Sequence, residues 1–272
     1  MVVKRIFIFI LLFFTMLCSC TDNTQISSDL LGTLESSNDN NKQTPVDLSE
    51  TPYYSLETND NGLGESAYHI TEHKYEYLEI NIYYPQIYDA KTGMPADTIN
   101  EIIKNDALSV FHWYEETDVN EGLLGLDIYY AVMEKTDDFI SVVFEGTGNV
   151  KGAAHPNSLF YTSNIDLKSA KRVRLPYLYN ANKQFVEIFF SQNNIYNKQQ
   201  NSFIENVYHF NTMPDDWVSV VESADTFDIN ITEVFSYFTK DKVGISTITS
   251  QSLGGHIAFE VDKDLLKSCL KK

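Results

Sequence analysis

The chain has 272 residues, with 38 Asp and Glu against 20 Lys and Arg, for a formal net charge of −18. Its densest basic run, Lys168-Ser169-Ala170-Lys171-Arg172-Val173-Arg174, is too short to track a phosphate backbone, so nucleic acid is excluded as a partner. Cysteines stand only at 18, 20 and 269, and the fate of the first two, given next, leaves no pair for an intrachain disulfide.

Lys4 and Arg5 precede an apolar run from Ile6 to Leu17, which ends in Leu17-Cys18-Ser19-Cys20. A positive n-region, a short apolar core and an aliphatic-small-small-Cys ending describe a bacterial lipoprotein signal peptide over residues 1–19, with Cys20 as the lipidated mature N-terminus. The apolar run is too short to cross a hydrocarbon layer of about 30 Å as a permanent helix. The expected location is therefore extracytoplasmic, lipid-anchored to a bacterial membrane. The mature chain would carry 18 basic against 38 acidic residues. An anionic membrane surface repels such a chain, so the lipid must hold it, and a cationic partner is drawn in at long range.

Residues 20–65 read as a disordered acidic tether. They hold nine acidic residues against Lys42 alone, are rich in Asn, Ser and Thr, and lack apolar periodicity. Within them Glu57-Thr58-Asn59-Asp60-Asn61-Gly62 resembles the opening of a calcium loop. The twelfth position is Tyr68 where a bidentate Glu is needed, so calcium is not expected.

Folded structure is expected from Ser66 onward. Alternation predicts a strand over Tyr75–Tyr84 that stops at Pro85. Thr98-Ile99-Asn100-Glu101 is a capping-box pattern opening a helix, with apolar residues at Ile99, Ile102, Ile103, Leu108, Val110, Phe111 and Tyr114. Leu126–Glu134 and Phe139–Gly146 predict a hairpin around Lys135-Thr136-Asp137-Asp138. A Gly-rich loop then leads to a strand over Ser158–Ile165. Asn182–Gln192 shows helical spacing at Phe185, Ile188 and Phe189. Short strands are expected at Thr226–Ile231, Val234–Phe238, Val243–Ile248 and His256–Val261, and a closing helix at Asp262–Leu270. Consecutive strands joined by short turns predict an α+β fold, antiparallel sheet or sheets with a few packed helices.

His69-Ile70-Thr71-Glu72-His73 matches the inverted zinc-protease pattern, which works only on a helix. In a strand at about 3.3 Å per residue the two imidazoles lie about 13 Å apart, too far to share one ion. Thr226-Phe227-Asp228-Ile229 resembles the opening of polysaccharide deacetylases, but Ile229 stands where a second Asp is needed. With Gly-x-Ser-x-Gly, P-loop and dinucleotide patterns absent and six His scattered, no catalytic residues, metal ligands or cofactor are selected. The segment Phe144 to Pro156 is the most unusual. Its glycines allow close approach or positive φ, and Pro156 biases His155 to an extended geometry. One reading makes it a candidate binding loop with Gly152, His155 and Pro156. The other makes it a crossover with His155 hydrogen-bonded internally. Trp113 and Trp217 are candidates for stacking on sugar but sit in amphipathic contexts that predict burial.

Two stretches carry a family resemblance. Asn81-Ile82-Tyr83-Tyr84-Pro85-Gln86-Ile87 and the helix after it resemble the PdaC-like small domain (domain of unknown function 4163) that precedes a peptidoglycan deacetylase. Phe139–Gly146, Gly152–Pro156 and Tyr161–Leu167, with Gly244-Ile245 and Ile257–Leu266 as a tail, resemble the outer domain of the anti-sigma factor RsiV (domain of unknown function 3298). The resemblance implies a PdaC-like subdomain over 66–136 and an RsiV-like domain over 137–272, with a binding role. In RsiV that domain recognises lysozyme, a cationic muramidase. Ala170 stands where the family has Gly, and 246–252 replace a longer recognition loop, so no contact residues carry over.

The sequence thus points to a non-catalytic lipoprotein that binds or senses at the cell envelope, with a lysozyme-like cationic protein or a cell-wall glycan as ligand. The alternatives are an envelope hydrolase acting on peptidoglycan or polysaccharide, and an assembly subunit without a small ligand.

Overall fold

The computed structural model describes residues 67–191, 196–197, 202–203, 214–226, 234–248 and 255–272. The signal peptide, Cys20, the tether and its calcium-like stretch up to Ser66 lie outside these residues. So does the Thr226–Ile231 segment beyond Thr226.

Two strands, β1 (His69–Tyr77) and β2 (Ile80–Tyr88), stand where alternation predicts one. Leu78-Glu79 reverses the chain between them, with Leu78 at φ 52°. No Gly, Pro, Asn or Asp marks that turn, so the apolar pattern runs through it unbroken. Pro85 does not end β2. Two residues on, Ile87 turns both backbone groups away from β1: its N–H donates to Asn100 Oδ1 at 2.7 Å and its carbonyl accepts from Asn100 Nδ2 at 2.9 Å. By alternation the missing Pro85 N–H faces the same side, where the next strand pairs only from Ile80 to Ile82, so no ladder bond is lost.

Helix α1 (Ala96–Leu108) starts earlier than its capping-box pattern implies. The N-cap is Pro95, whose carbonyl accepts from Ile99 N–H at 3.1 Å, and Thr98 lies inside the first turn without a side-chain capping bond. Ile99, Ile103, Ala107 and Leu108 form its buried stripe. A 3-10 turn (Ser109–Trp113) and α2 (Glu116–Asn120) return the chain to β3 (Leu124–Lys135), parallel to β2. Then come β4 (Phe139–Val150), β5 (Asn157–Asp166) and β6 (Lys171–Arg172), each antiparallel to its predecessor, in one six-stranded sheet ordered as in the sequence. The predicted 136–138 turn is present, and Phe139 N–H donates to Thr136 Oγ1 at 3.0 Å. The expected domain boundary falls in this turn, across which β3 and β4 pair from Leu124–Val150 to Lys135–Ile140.

The Gly-rich segment is mostly strand, which corrects its reading as a loop. Gly146 and Gly148 lie inside β4, where an added Cβ would overlap the Asp127 carbonyl and the Tyr114 hydroxyl respectively. Their missing side chains serve close packing, not a turn. Gly152, at φ 95°, is the member used for its backbone freedom.

After β6 come α3 (Leu175–Leu178) and α4 (Lys183–Phe189), the latter capped by Asn182, whose Oδ1 accepts from Phe185 N–H at 3.0 Å. Short strands β7 (Tyr196–Asn197) and β8 (Ser202–Phe203) precede α5 (Pro214–Glu222), a helix the sequence reading missed. β9 (Val234–Phe238), β10 (Lys242–Ile248) and β11 (His256–Asp262) form an antiparallel meander in a second sheet of order β8-β7-β11-β10-β9. The expected closing helix is a 3-10 turn over Lys263–Cys269. The fold is α+β with mostly antiparallel sheets, as the sequence predicts.

One face of the first sheet packs on α1. The outer face of the second sheet packs through Val243, Ile245, Phe259 and Val261 on Phe185, Phe189, Val221 and Leu266. Trp113 and Trp217 are half-buried, against Tyr161 at 5.5 Å and Phe190 at 4.8 Å between ring centroids, and Cys269 is a buried free thiol. The two sheets meet where Val143 and Phe160 touch Tyr237 and Ala258. Here the outer edge of β9 lies on the first sheet. Asp225 N–H donates to the Val234 carbonyl at 3.0 Å, and Ser236 N–H donates to Asp225 Oδ1. Asn164 Nδ2 donates to the Ser236 carbonyl at 2.8 Å, and Phe238 N–H donates to Ser141 Oγ at 3.0 Å. Ser141 Oγ–H in turn donates to Asn164 Oδ1 at 2.7 Å.

Truncating Asn164 removes the side-chain donor to the buried Ser236 carbonyl and the acceptor of the Ser141 O–H, whose oxygen still accepts from Phe238 N–H. Asn164→Ala is expected to cost about 2–4 kcal/mol, since each buried group left unsatisfied costs about 1–3 kcal/mol. Chemical denaturation checks this, and a loss below about 1 kcal/mol would contradict it.

Candidate functional site

Among the described residues, the second sheet covers one end of the first sheet's face. Beyond it, strand register builds two side-by-side rows across five strands. One row runs Lys74, Tyr83, Tyr129, Glu145, Phe160, and the next runs Glu76, Asn81, Asp127, Thr147, Ser158. Alternation explains why they share a side: on β3 to β5 the intervening Leu126, Ile128, Phe144, Leu159 and Tyr161 are buried toward α1. Asp127, Tyr129 and Thr147 are exposed, and Tyr83, Glu145 and Ser158 are half-buried.

The Tyr83 and Tyr129 rings stack at 5.3 Å and 6°, and Lys74 Nζ lies 5.3 Å from the Tyr83 centroid. Asn81 Nδ2 donates to Asp127 Oδ1 at 3.1 Å, and Lys74 pairs with Glu76 at 2.7 Å. Burial, then the Asp127 carboxylate, raises the Tyr129 hydroxyl pKa. The face is polar, aromatic and rich in carboxylates.

At its covered end three residues from distant parts of the chain converge. Ser158 Oγ lies 2.9 Å from His256 Nδ1, and His256 Nε2 lies 3.2 Å from Glu145 Oε1. A carboxylate only accepts, so Nε2–H pointing at Glu145 leaves Nδ1 of a neutral imidazole to accept from the Ser158 hydroxyl. The imidazole is buried, packed at 5.0 Å on the Phe160 ring, while Glu145 keeps 35 % of its side chain exposed.

Two other carboxylates serve the scaffold. Asp106, buried at the end of α1, accepts from Arg172 Nε at 2.6 Å and Ser163 Oγ at 2.6 Å. Burial pushes it up to about 6, against the downward pull of Arg172 and Ser163. Asp225 is likewise pushed up to about 6 by desolvation, although Ser236 and the Leu175 N–H donate to it.

β1 places His69 and His73 four residues apart in a strand, beside Tyr88 and Tyr84 at 5.4 and 6.0 Å, so the helical chelating geometry of the zinc-protease pattern is not formed. Among the described residues no cluster of three or more His, Cys, Asp or Glu is arranged to hold a metal ion. Gly152, His155 and Pro156 lie together in the exposed β4–β5 connection, next to the Thr147–Ser158 pair. His155 is solvent-exposed in that connection. Ala170, in the β5–β6 turn, holds φ 49°, the conformation for which Gly is suited.

Sequence reasoning missed the Ser158, His256 and Glu145 group. Glu145 and Ser158 share a side only once the β4–β5 register is known, and His256 is 98 residues beyond Ser158. No local pattern signals that meeting.

What the geometry defines, among the described residues, is an α+β protein with part of one sheet face left open. No protein family matches the chain, and no curated protein does. Among solved structures it is similar to two described as DUF3298 family proteins. One, from Bacteroides fragilis, is 10 % identical, with a TM-score of 0.48 over 76 % of this chain and 95 % of that one. The other, from Pseudomonas aeruginosa, is 12 % identical, with a TM-score of 0.43 over 75 % and 93 %. At these values no residue role passes to this chain.

The raised Asp106 pKa fixes a sign for pH dependence. The unfolded carboxyl titrates near 3.9, so between pH 4 and 6 the folded state binds the extra proton. This group's contribution is fully present below about pH 4 and is lost as pH rises through about 6. The stability of wild type relative to Asp106→Asn is therefore expected to decline from pH 4 to 7 in paired thermal melts. A relative stability that rises over that range would contradict it.

Proposed function

We propose that the protein is an extracytoplasmic lipoprotein with a binding or sensing role at the cell envelope, anchored through Cys20, and that its ligand is a cationic protein of the lysozyme kind. The open polar and aromatic face of the first sheet carries this reading. Glu76, Asp127 and Glu145 outnumber Lys74 on it, in a chain whose net charge is already −18. Complementary charge speeds encounter and excludes like-charged partners.

A cell-wall glycan fits the same face less well. Sugars stack on open ring faces, and Tyr83 has Lys74 near one side and Tyr129 stacked on it. The tether over 20–65 would hold the folded part about 35–40 Å from the lipid as a flexible chain, within reach of wall-associated proteins. The subdomain division at 136/137 and the loop of Gly152, His155 and Pro156 as a second contact region belong to the same proposal.

Two outcomes are expected. Cys20→Ala should release the protein from membranes or stall its processing, and a variant that stays with membranes like wild type after a carbonate wash would refute the anchor. Lysozyme titration should show binding at low salt that weakens toward physiological salt, and Asp127→Asn with Glu76→Gln should weaken it several-fold. No binding even at low salt would remove this partner.

A further inference from the structure

The geometry points to Ser158, His256 and Glu145 as an acyl-transfer site, with Ser158 the nucleophile and a carboxylic ester of a polar alcohol the substrate. This departs from the non-catalytic expectation drawn from the sequence, and it does not depend on a protein ligand occupying the face.

A serine hydroxyl is a weak nucleophile unless a base takes its proton and a third group orients that base. Both contacts are present. Nδ1 of His256 lies 2.9 Å from Ser158 Oγ, and Glu145 holds Nε2 at 3.2 Å. The carboxylate selects the tautomer with Nδ1 free to accept, and stabilises the imidazolium once the proton arrives. The two ring nitrogens exchange the roles they have in serine proteases, but the proton bookkeeping is the same. The imidazole is 8 % exposed and fixed against Phe160, so the base is held rather than mobile.

The serine also has somewhere to receive a substrate. It is half-buried at the margin of the open face, with Thr147 as its cross-strand neighbour and Asp127 and Asn81 further along the row. Thr147, its cross-strand partner, carries a hydroxyl on the same side of the sheet. The hydroxyl, amide and carboxylate groups beyond it suit a hydroxylated leaving alcohol more than an apolar one.

In the first step Ser158 Oγ adds to the ester carbonyl carbon while its proton passes to His256 Nδ1. The bond from carbonyl carbon to alkoxy oxygen then breaks, and the alcohol leaves with that proton. Water adds to the acyl-serine, giving a proton to Nδ1. The carboxylic acid departs as Oγ recovers its hydrogen. Ester and water are consumed and acid and alcohol are formed, without a redox partner. Ser158 and His256 are the catalytic residues, and Glu145 is a positioning residue.

The test uses the full chain in detergent with p-nitrophenyl acetate, and a fluorophosphonate probe whose attachment is mapped by peptide mass spectrometry. Expected are turnover of the ester and labelling at Ser158, both lost in Ser158→Ala and reduced at least tenfold in His256→Gln. If His256→Gln melts below wild type, Glu145→Gln supplies the decision. It preserves an acceptor for Nε2–H without the charge, and should lower kcat at unchanged KM. A folded wild type with no label on Ser158 overturns the proposal, as does hydrolysis that persists in Ser158→Ala or a kcat unaltered in folded His256→Gln or Glu145→Gln.

Discussion

The outer edge of β9, which no strand pairs among the described residues, is the constraint on which the arrangement of the two sheets depends. An edge strand presents a row of backbone donors and acceptors, and one buried in an interface must find partners for all of them. Adding another strand would extend the second sheet. Here side chains and a turn do the work: Asp225 takes the Val234–Ser236 part, and Ser141 and Asn164 take the Ser236–Phe238 part. Because these partners sit at fixed places on the first sheet and on the turn after α5, they dictate where β9 lies. Nonpolar contact through Val143, Tyr237 and Ala258 adds attraction without specifying register.

That docking position decides which part of the first sheet stays open. Ser141 and Asn164 lie at the turn end of β4 and the far end of β5, so the second sheet settles over that end and leaves Asp127, Tyr129 and Thr147 in water. β11 comes to the boundary, and its first residue, His256, reaches across to Glu145 and Ser158. The polar group of three therefore lies where the cover stops, half supported by buried neighbours and half open. A fully covered group would be structural alone, and a fully exposed one would lack an oriented base.

Elements with a strong local signature were legible in the sequence. The β3–β4 hairpin, the helix at Lys183–Phe189 and the β9 to β11 meander depend on local patterning and polar turns. Failures came where local chemistry is silent or ambiguous. Leu78-Glu79 turns without a turn residue, Gly146 and Gly148 answer to side chains of other elements, and α1 uses Pro95 instead of Thr98. The candidate site was illegible for a related reason. Its rows exist only through strand register, and His256 joins them through packing between sheets, which no short window of sequence encodes.

The basic run is largely engaged within the fold rather than forming a free basic patch. Lys168 pairs with Asp138 at 2.6 Å, Arg172 reaches the buried Asp106 through Nε while about half its side chain stays exposed, and Arg174 donates to the carbonyls of Ala224 and Glu222. The run tempts a reading as a basic patch, yet Lys168, Arg172 and Arg174 all hold neighbouring elements at the β5–β6 end of the fold. The carboxylates divide in a complementary way. Asp106 and Asp225 are held by interior donors and titrate high, whereas Asp127 faces solvent in the middle of the open sheet. A cation approaching that face meets charges that have not already been neutralised by burial, while the arginines that would repel it are occupied on another part of the molecule. Charge is thus sorted by the same packing that leaves the face uncovered.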